Sequence, residues 1–445
     1  MNTSFLIAAP TSGSGKTTIA RGLMALCTRK GLRVQPFKCG PDYIDTMFHT
    51  AVCGRPSVNL DTFMASHAHV RELYNYYAQE ADICIVEGMM GLFDGYDRDC
   101  GSAAEIANIL RLPIVLVVDA RSAAYSMAAL LKGFIHFRTD LQFAGVIFNR
   151  VGSQRHAQML RDVAAEVGVT CLGCVPKTPA LEQGSRYLGL DFSKTTTADE
   201  LLDVLEQNLE LRDLIDFPTH GKTVSHAWEN SFPCMGNTYT PCLVARNAES
   251  FSFLYQETLD SIAREREVVF FDPEAPTKEV LQRLAAPVDS AEGISLLYLP
   301  GGYPEKHLTA LTAASSLRQA IRDYAERGGH IVAECGGMMY LCDKIVTDDG
   351  EYPMCSVFPY AITARSADRR LSLGYRRFTL EGHEFHGHEF HYTKFADPAP
   401  VSAAKVCNAK GEVVPTAVLR KGNVWASYTH LSPESLMQTI HVGIK

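Results

Sequence analysis

The sequence contains no apolar run that reaches the ~18 residues a membrane-spanning helix requires. A basic leader is also missing, because the apolar residues MNTSFLIAAP lead directly into a glycine-rich loop, so we predict no secretory signal peptide. Basic residues are not in excess either, since 42 lysines and arginines face 50 aspartates and glutamates. The net charge of −8 gives no reason to expect a nucleic-acid or membrane partner.

A disulfide framework is equally missing from the cysteine pattern. The thirteen cysteines are odd in number and scattered along the chain, which suits reduced thiols. We therefore expect a cytoplasmic protein. The one C-x-x-C motif, Cys171–Cys174, has no second pair to complete a zinc site, so we interpret it as a coincidence at a strand end.

What the sequence does contain is length and an α/β rhythm. A chain of 445 residues is long for a single core, so two domains or more are expected. In the first half, compact apolar runs at residues 83–88, 114–120 and 143–151 alternate with amphipathic segments such as residues 17–30. This alternation predicts buried parallel strands with helices on both faces of the sheet. The predicted fold class is α/β, with two doubly wound domains.

The domain boundary is predicted where the texture of the sequence changes. A charged helical stretch at residues 198–215 gives way to a polar, turn-rich segment. We predict a first domain over residues 1–215, a linker over residues 216–241 and a second domain over residues 242–445. The second domain again alternates strands and helices, and one helix is predicted over residues 309–327. The sequence after this alternation is rich in β and turn signals.

The stretch APTSGSGKTT, residues 9–18, follows a predicted strand and opens a predicted helix, as a phosphate-binding loop requires. Pro10 stands where the usual pattern has its first glycine, but the two glycines nearest the lysine are present and let backbone N–H groups face an anion. Lys16 would contact the β- and γ-phosphates of ATP, and Thr17 would hold Mg²⁺. The predicted nucleotide-binding residues are Gly13, Ser14, Gly15, Lys16, Thr17 and Thr18.

Carboxylates at the ends of other strands could complete a Mg²⁺ site. Glu87 ends the strand ICIVEG, FKCGPDYIDT offers Asp42 and Asp45, and GLFDG offers Asp94. Each alone is a weak signal, because surface carboxylates are common. Together they fall at the carboxyl ends of predicted strands, where α/β sheets bind ligands.

A second chemical centre is predicted in HIVAECGGMMYL, which has the pattern of strand, sharp turn and helix with Cys335 at the turn. We expect the helix N-terminus to lower the pKa of the thiol and so favour a nucleophile. Backbone N–H groups of Gly336, and of Gly301 or Gly302 in LYLPGGYPE, are candidate oxyanion donors. His430, at the end of a later strand, is the candidate base.

The repeat GHEFHGHEFH, residues 382–391, offers metal-ligand residue types. In a strand-and-turn segment, however, its H-x-x-H spacing does not place the imidazoles as H-E-x-x-H on a helix would. We therefore expect a satisfied polar cluster or a substrate-contacting loop here, with a catalytic metal as the alternative.

Seven segments, spread in order over nearly the whole chain, carry a resemblance to a known family. They are APTSGSGKTT, FKCGPDYIDT, VEGMMGLFDG, GVIFNRVGS, LYLPGGYPE, AECGGMMYL and GHEFHYT. The chain resembles the cobyrinic acid a,c-diamide synthases, which are CobB/CobQ-type glutamine amidotransferases. The resemblance implies an N-terminal P-loop synthetase domain similar to dethiobiotin synthetase, fused to a class I glutamine amidotransferase domain.

The activity implied by this resemblance is that of a carbon–nitrogen ligase in cobalamin biosynthesis. Glutamine would supply the nitrogen that amidates the a and c acetate groups of cobyrinic acid, with ATP as co-substrate and Mg²⁺ as cofactor. Hydrogenobyrinic acid or nickel-sirohydrochlorin are alternative tetrapyrroles, and a homodimer is left open. From a different class, a P-loop regulatory ATPase with a non-catalytic glutaminase-like module remains an alternative.

The resemblance also carries over to single residues. It assigns the phosphate contact to Lys16, metal positions to Thr17, Asp45 and Glu87, the glutaminase nucleophile to Cys335 and its activating histidine to His430. His391 matches a motif position without a role that we can derive.

One departure from the family concerns the glutaminase site. Many class I glutaminases have a Glu two residues after the histidine, but here that position is Ser432, and Glu434 lies two residues further on. A Cys–His dyad is therefore expected in place of a complete triad.

Overall fold

The computed structural model describes residues 3–178, 199–215, 240–288, 290–396 and 398–442. The chain divides into two compact units, Met1–Phe232 and Pro233–Lys445. Nearly all of the predicted linker lies outside the described residues, so the predicted domain boundaries stay a prediction. Within the described ranges, the helices are too short or too polar to cross a membrane.

The first unit is built on a parallel sheet whose strands, among the described residues, are ordered β3-β2-β4-β1-β5-β6-β7. The strands are β1 (Thr3–Ala8), β2 (Val34–Cys39), β3 (Val58–Leu60), β4 (Ile83–Glu87), β5 (Ile114–Asp119), β6 (Phe143–Val151) and β7 (Cys171–Pro176). Nearly all of their residues are buried, which is why they appear as continuous apolar runs in the sequence.

Helices cover both faces of this sheet. They are α1 (Lys16–Arg29), α2 (Ile44–Cys53), α3 (His67–Ala78), α4 (Ala103–Leu110), α5 (Met127–Phe137), α6 (Gln154–Val167), α7 (Asp199–Asn208) and α8 (Leu211–Ile215). Alternate residues of β1 point to opposite faces: Leu6 packs in one core with α3 to α6, and Ile7 packs in another with α1, α2, α7 and α8. The doubly wound architecture predicted for this half is confirmed.

The second unit contains a larger sheet and two smaller ones among the described residues. Its strands are β8 (Cys242–Ala245), β9 (Val268–Phe271), β10 (Leu296–Leu299), β11 (Ile331–Glu334), β12 (Lys344–Val346), β13 (Glu351–Pro353), β14 (Ala361–Thr363), β15 (Ser372–Leu380), β16 (His383–His391), β17 (Lys394–Phe395), β18 (Val406–Asn408), β19 (Val418–Lys421), β20 (Val424–Ser427) and β21 (His430–Leu431). The larger sheet has the order β19-β20-β11-β10-β8-β9, with only β19 antiparallel to its neighbour, in the part of the chain described. The smaller sheets have the orders β13-β12-β14-β17 and β18-β15-β16-β21.

The helices of the second unit lie on both faces of its larger sheet, as the predicted fold class requires. They are α9 (Gln256–Glu265), α10 (Lys278–Ala285), α11 (Leu308–Ala313), α12 (Ser315–Glu326), α13 (Gly336–Leu341) and α14 (Pro433–Val442). The single helix predicted over residues 309–327 is wrong. Ala314 has a ψ of +50°, outside the helical range, and it separates α11 from α12.

Candidate active site

The phosphate-binding loop connects β1 to α1, as predicted. Gly13 and Gly15 both have positive φ, at 82° and 93°. A Cβ on Gly15 would lie 2.1 Å from Nδ2 of Asn149, and that amide donates a hydrogen bond to the carbonyl of Ser14 at 2.9 Å. Arg150 donates to the carbonyl of Gly13 at 2.8 Å. The end of β6 therefore holds the loop from behind, and only glycine fits at position 15.

The first turn of α1 carries the predicted phosphate and metal residues Lys16, Thr17 and Thr18. The ammonium of Lys16 donates to the carbonyl of Met90 at 2.8 Å, and the hydroxyl of Thr17 donates to Oε1 of Glu87 at 2.6 Å. The loop and the end of β4 thus meet at the carboxyl edge of the sheet. This is the edge at which parallel α/β sheets bind ligands.

The two predicted acidic metal residues lie close together and are both buried. Lys38, near the end of β2, reaches them both: its Nζ lies 2.5 Å from Oδ2 of Asp45 and 3.1 Å from Oε1 of Glu87. His49 contacts the other oxygen of Glu87 at 2.7 Å. Burial would raise the pKa of Glu87, but Lys38 and His49 hold it well below its usual range. The site therefore keeps a buried carboxylate ionised.

These oxygens suit Mg²⁺, which takes one or two carboxylates and completes its shell with water and phosphate oxygens. Thr17, Asp45 and Glu87 supply hard oxygen donors beside the phosphate loop. Asp94 is oriented differently, since its Oδ2 accepts a hydrogen bond from the N–H of Gly91 at 3.0 Å. Across the described residues, no group of three or more His, Cys, Asp or Glu side chains is arranged to hold a metal ion.

Cys335 lies at the turn between β11 and α13. Its φ of 48° and ψ of −106° are strained for a residue with a side chain, and its N–H donates to the carbonyl of Ser427 at 2.7 Å. A Cβ on Gly337 would lie 2.0 Å from the carbonyl oxygen of Leu299, so the turn needs glycine there. The predicted elbow geometry is present.

The expected lowering of the Cys335 pKa by the helix N-terminus is outweighed, so the pKa of the thiol is raised overall. Burial raises the pKa of Cys335, and the carboxylate of Glu305 raises it further. The N–H of Gly336 acts in the opposite direction but is outweighed. Because burial disfavours the thiolate, the thiol stays protonated and needs a base to become a nucleophile.

The structure brings the candidate base, His430, close to Cys335. A Cβ on Gly301 would lie 2.2 Å from Cε1 of His430 and 3.2 Å from Cβ of Cys335, so Gly301 fits between the two side chains. His430 is fully buried on β21, and burial lowers its pKa to about 3, with His388 as a further cause. The imidazole is therefore neutral at physiological pH and able to accept a proton.

The two predicted oxyanion residues also meet. A Cβ on Gly336 would lie 3.0 Å from the carbonyl oxygen and 3.1 Å from the nitrogen of Gly302. The backbones of the two glycines therefore pass close together beside Cys335. A tetrahedral oxyanion requires two backbone N–H donors beside the nucleophile, and these two glycines are the candidates.

The histidine repeat forms the strand β16 rather than a loop. His388 lies opposite His430 in the antiparallel pair of β16 and β21. Glu389 bonds to Arg376 at 2.8 Å and lies 3.6 Å from His391, so part of the repeat is a satisfied polar cluster. The ring of His391 stacks on Tyr428 with centroids 3.8 Å apart.

Several site residues were not identified from the sequence. They are Lys38, His49, Asn149 and Arg150, and His388 was considered only as a metal-ligand residue type within the repeat. Lys38 and His49 lie within or beside FKCGPDYIDT, Asn149 and Arg150 lie in GVIFNRVGS, and His388 lies in the repeat. The motif matches were therefore a signal for these residues, although the contacts depend on which strands are neighbours.

Comparison with known proteins agrees with this geometry. Residues 5–188 match the CobQ/CobB/MinD/ParA nucleotide binding domain, and residues 246–435 match the CobB/CobQ-like glutamine amidotransferase domain. The hydrogenobyrinate a,c-diamide synthase of Brucella suis is 38% identical, with 96% of this chain and 98% of that protein covered. The chain belongs to the a,c-diamide synthase family.

Other members of the a,c-diamide synthase family match over a similar length. The hydrogenobyrinate a,c-diamide synthase of Mycobacterium tuberculosis is 37% identical over 96% of this chain and 94% of its own length. The cobyrinate a,c-diamide synthase of Listeria monocytogenes is 35% identical, with 96% and 95% covered. The family thus contains relatives named for two different substrates.

Proposed function

We propose that the protein amidates the a and c acetate groups of cobyrinic acid in cobalamin biosynthesis, using ATP and glutamine. The observation that carries this proposal is the presence, in one chain of this family, of a phosphate loop with Lys16 and a glutaminase pair, Cys335 and His430. Hydrogenobyrinic acid is the second candidate substrate, because relatives with 37–38% identity are named for it.

The first half of the proposed reaction releases ammonia from glutamine. Cys335 attacks the side-chain carbonyl carbon, and His430 takes the thiol proton. The oxyanion is stabilised by backbone N–H groups of Gly302 and Gly336. His430 then passes the proton to the leaving nitrogen, so ammonia departs and a thioester remains, which water hydrolyses to glutamate and free thiol.

The second half activates a carboxylate, whose oxygen is otherwise a poor leaving group. ATP phosphorylates the acetate, while Lys16 and the N–H groups of the phosphate loop stabilise the charge on the transferred phosphoryl group. Thr17, Asp45 and Glu87 would hold Mg²⁺, which supplies further charge neutralisation on the phosphates. Ammonia attacks the acyl phosphate and phosphate leaves. Repetition at the second acetate gives the diamide.

The deciding experiment is turnover of purified protein with ATP and glutamine on three substrates: cobyrinic acid, hydrogenobyrinic acid and nickel-sirohydrochlorin. We expect mono- and diamides of cobyrinic acid, identified by mass, with ADP and phosphate as co-products. Amidation of hydrogenobyrinic acid alone would select the second candidate. Failure on all three, together with no glutamine hydrolysis, would support the regulatory ATPase.

The magnesium assignment gives a separate prediction. Asp45→Asn and Glu87→Gln are each expected to raise the Mg²⁺ concentration for half-maximal ammonia-dependent synthesis by about 10-fold or more, because each removes a charged ligand. The control is Asp82→Asn, whose exposed carboxylate pairs with Arg33 at 2.9 Å on the surface. An unchanged Mg²⁺ requirement in both site variants, with thermal unfolding at the wild-type temperature, would contradict the assignment.

The free cysteines among the described residues suit a reducing compartment, which supports our proposal that the protein works in the cytoplasm. The chemistry proposed here uses residues of one chain at each site, so a homodimer is not required for it.

A further inference from the structure

His430 needs a partner that fixes its ring orientation, because a histidine base is effective only when one nitrogen faces the nucleophile. The two positions considered from the sequence do not supply one. Ser432 bonds with Ser435 at the start of α14: its hydroxyl donates to Oγ of Ser435 at 2.9 Å and accepts from the N–H of Ser435 at 3.2 Å. Glu434 is exposed.

Another carboxylate approaches His430 from the strand that carries the nucleophile. Glu334 is the last residue of β11 and is 2% exposed. Its Oε2 lies 3.9 Å from Nδ1 of His430, and the same oxygen accepts a hydrogen bond from the hydroxyl of Tyr298 at 2.8 Å. Its Oε1 accepts from the N–H of Leu431 at 2.9 Å. The carboxylate is thus bonded to the backbone of the residue that follows His430.

A second carboxylate near His430, that of Glu389 on the neighbouring strand β16, already has other partners. Glu389 on β16 bonds to Arg376 at 2.8 Å and accepts from the hydroxyl of Thr429 at 3.1 Å. Although burial opposes ionisation, His391 and Arg376 lower the pKa of Glu389 to about 2. Its charge is balanced by that arginine, whereas Glu334 faces the imidazole and neutral donors.

We propose that Glu334 is the positioning residue of the glutaminase site, holding the Nδ1 side of His430 so that the other ring nitrogen serves Cys335. This inference rests on the proposed glutaminase reaction. At 3.9 Å the two side chains are close but do not form a hydrogen bond, as is common for catalytic partners without substrate. The contact closes when His430 takes the thiol proton and becomes a cation.

The charges favour this role. Burial raises the pKa of Glu334 to about 8, although the bonds from Leu431 and Tyr298 oppose the rise. Protonation of His430 without a neighbouring negative charge costs free energy, because burial lowers the pKa of this imidazole to about 3. A carboxylate beside it offsets that cost, because the two charges neutralise each other.

The sign of the pH dependence follows from the raised pKa. Glu334 is protonated below about pH 8 and ionised above it, so glutamine hydrolysis should rise with pH through this range. Other titratable groups beside His430 are His388, Glu389 and His391 on β16, and Glu305 on the loop after β10 faces Cys335 on the elbow. Ionisation of the Cys335 thiol also raises activity with pH, and burial raises the pKa of this thiol.

The test compares Glu334→Gln with Tyr298→Phe in the full-length protein. Glutamine hydrolysis is measured from neutral to alkaline pH, and ammonia-dependent synthesis is measured in the same preparations. For Glu334→Gln we expect kcat to fall by about 10²- to 10⁴-fold with KM nearly unchanged, and the rise near pH 8 to disappear. Ammonia-dependent synthesis should be unchanged.

Tyr298→Phe keeps the carboxylate but removes a hydrogen bond that lowers its pKa. The rise of glutamine hydrolysis with pH should therefore move to higher pH, and the rate above that rise should equal the wild-type rate. This test does not depend on whether the Glu334→Gln variant folds. The inference would be overturned if the rise with pH did not move in Tyr298→Phe, or if Glu334→Gln kept the kcat of the wild-type protein. The proposed glutaminase reaction would still be supported if the wild-type protein hydrolysed glutamine. A wild-type protein that hydrolyses no glutamine would overturn the proposed function itself.

Discussion

Replacement of Cys335 by alanine is expected to abolish synthesis with glutamine and to leave synthesis with ammonia at the wild-type rate. The sulfur forms the bond to the glutamine carbonyl carbon, and departure of ammonia leaves the thioester, so the variant lacks the bond-forming atom itself. The loss should reach about 10⁵-fold or the detection limit, as for other nucleophile deletions. Free ammonia bypasses this step, because it attacks the acyl phosphate directly. Product formation with either nitrogen donor, followed by mass, measures both rates.

The matched control is Cys342→Ala. Cys342 follows α13, is fully buried in the same hydrophobic core and touches Met338 through sulfur at 3.7 Å. The two variants delete the same group from the same core, so both should lose similar stability. Cys342→Ala should keep both activities. If ammonia failed to rescue Cys335→Ala while Cys342→Ala remained active with glutamine, the two-site reaction would be wrong.

The sequence predicts the inner strands of a sheet better than its edge strands. Residues 143–151 were predicted as a strand and form β6 with these bounds, because a central parallel strand buried on both faces is a continuous apolar run. β3 has three residues at the sheet edge and gives no comparable signal. The helical pattern of residues 309–327 predicted one helix, because the sequence gives no signal for the non-helical ψ of Ala314 that separates α11 from α12.

The chemistry was predictable where it depends on local motifs. The phosphate loop and the Cys335 elbow each occupy one strand–turn–helix segment, so their residue order is enough to identify them. The approach of His430 to Cys335 needed a choice among histidines, which the strand-end context of His430 favoured. These local signals locate the candidate reacting groups.

Environment was not predictable in the same way. The pKa of Cys335 is raised because β11 ends in a buried core, and burial is a property of the whole unit. Lys38 meets Glu87 because β2 and β4 are neighbours in register. Glu334 meets His430 because β20, which β21 follows after two residues, is the parallel neighbour of β11. Such contacts depend on strand order, which one sequence does not specify.

Replacement of Lys16 by alanine is expected to have the second large effect. In contrast to Cys335→Ala, it should impair synthesis with both nitrogen donors and leave glutamine hydrolysis intact. Synthesis should fall by about 10²- to 10³-fold or more with either nitrogen donor, because the variant loses a cation that stabilises the transferred phosphoryl group. Glutamine hydrolysis without ATP should remain at the wild-type rate. The measurement is product formation with glutamine and with ammonia, beside glutamate release.

Lys30→Ala is the control from the other end of α1. Its ammonium pairs with Glu206 at 2.7 Å on the surface, and removal of such an exposed pair costs at most about 1 kcal/mol. It should leave all three activities unchanged. Loss of glutamine hydrolysis in Lys16→Ala would contradict separate sites, and wild-type synthesis would show that the loop does not handle ATP. Together with Cys335→Ala, the variant distinguishes nitrogen supply from carboxylate activation, since each substitution should remove one and leave the other.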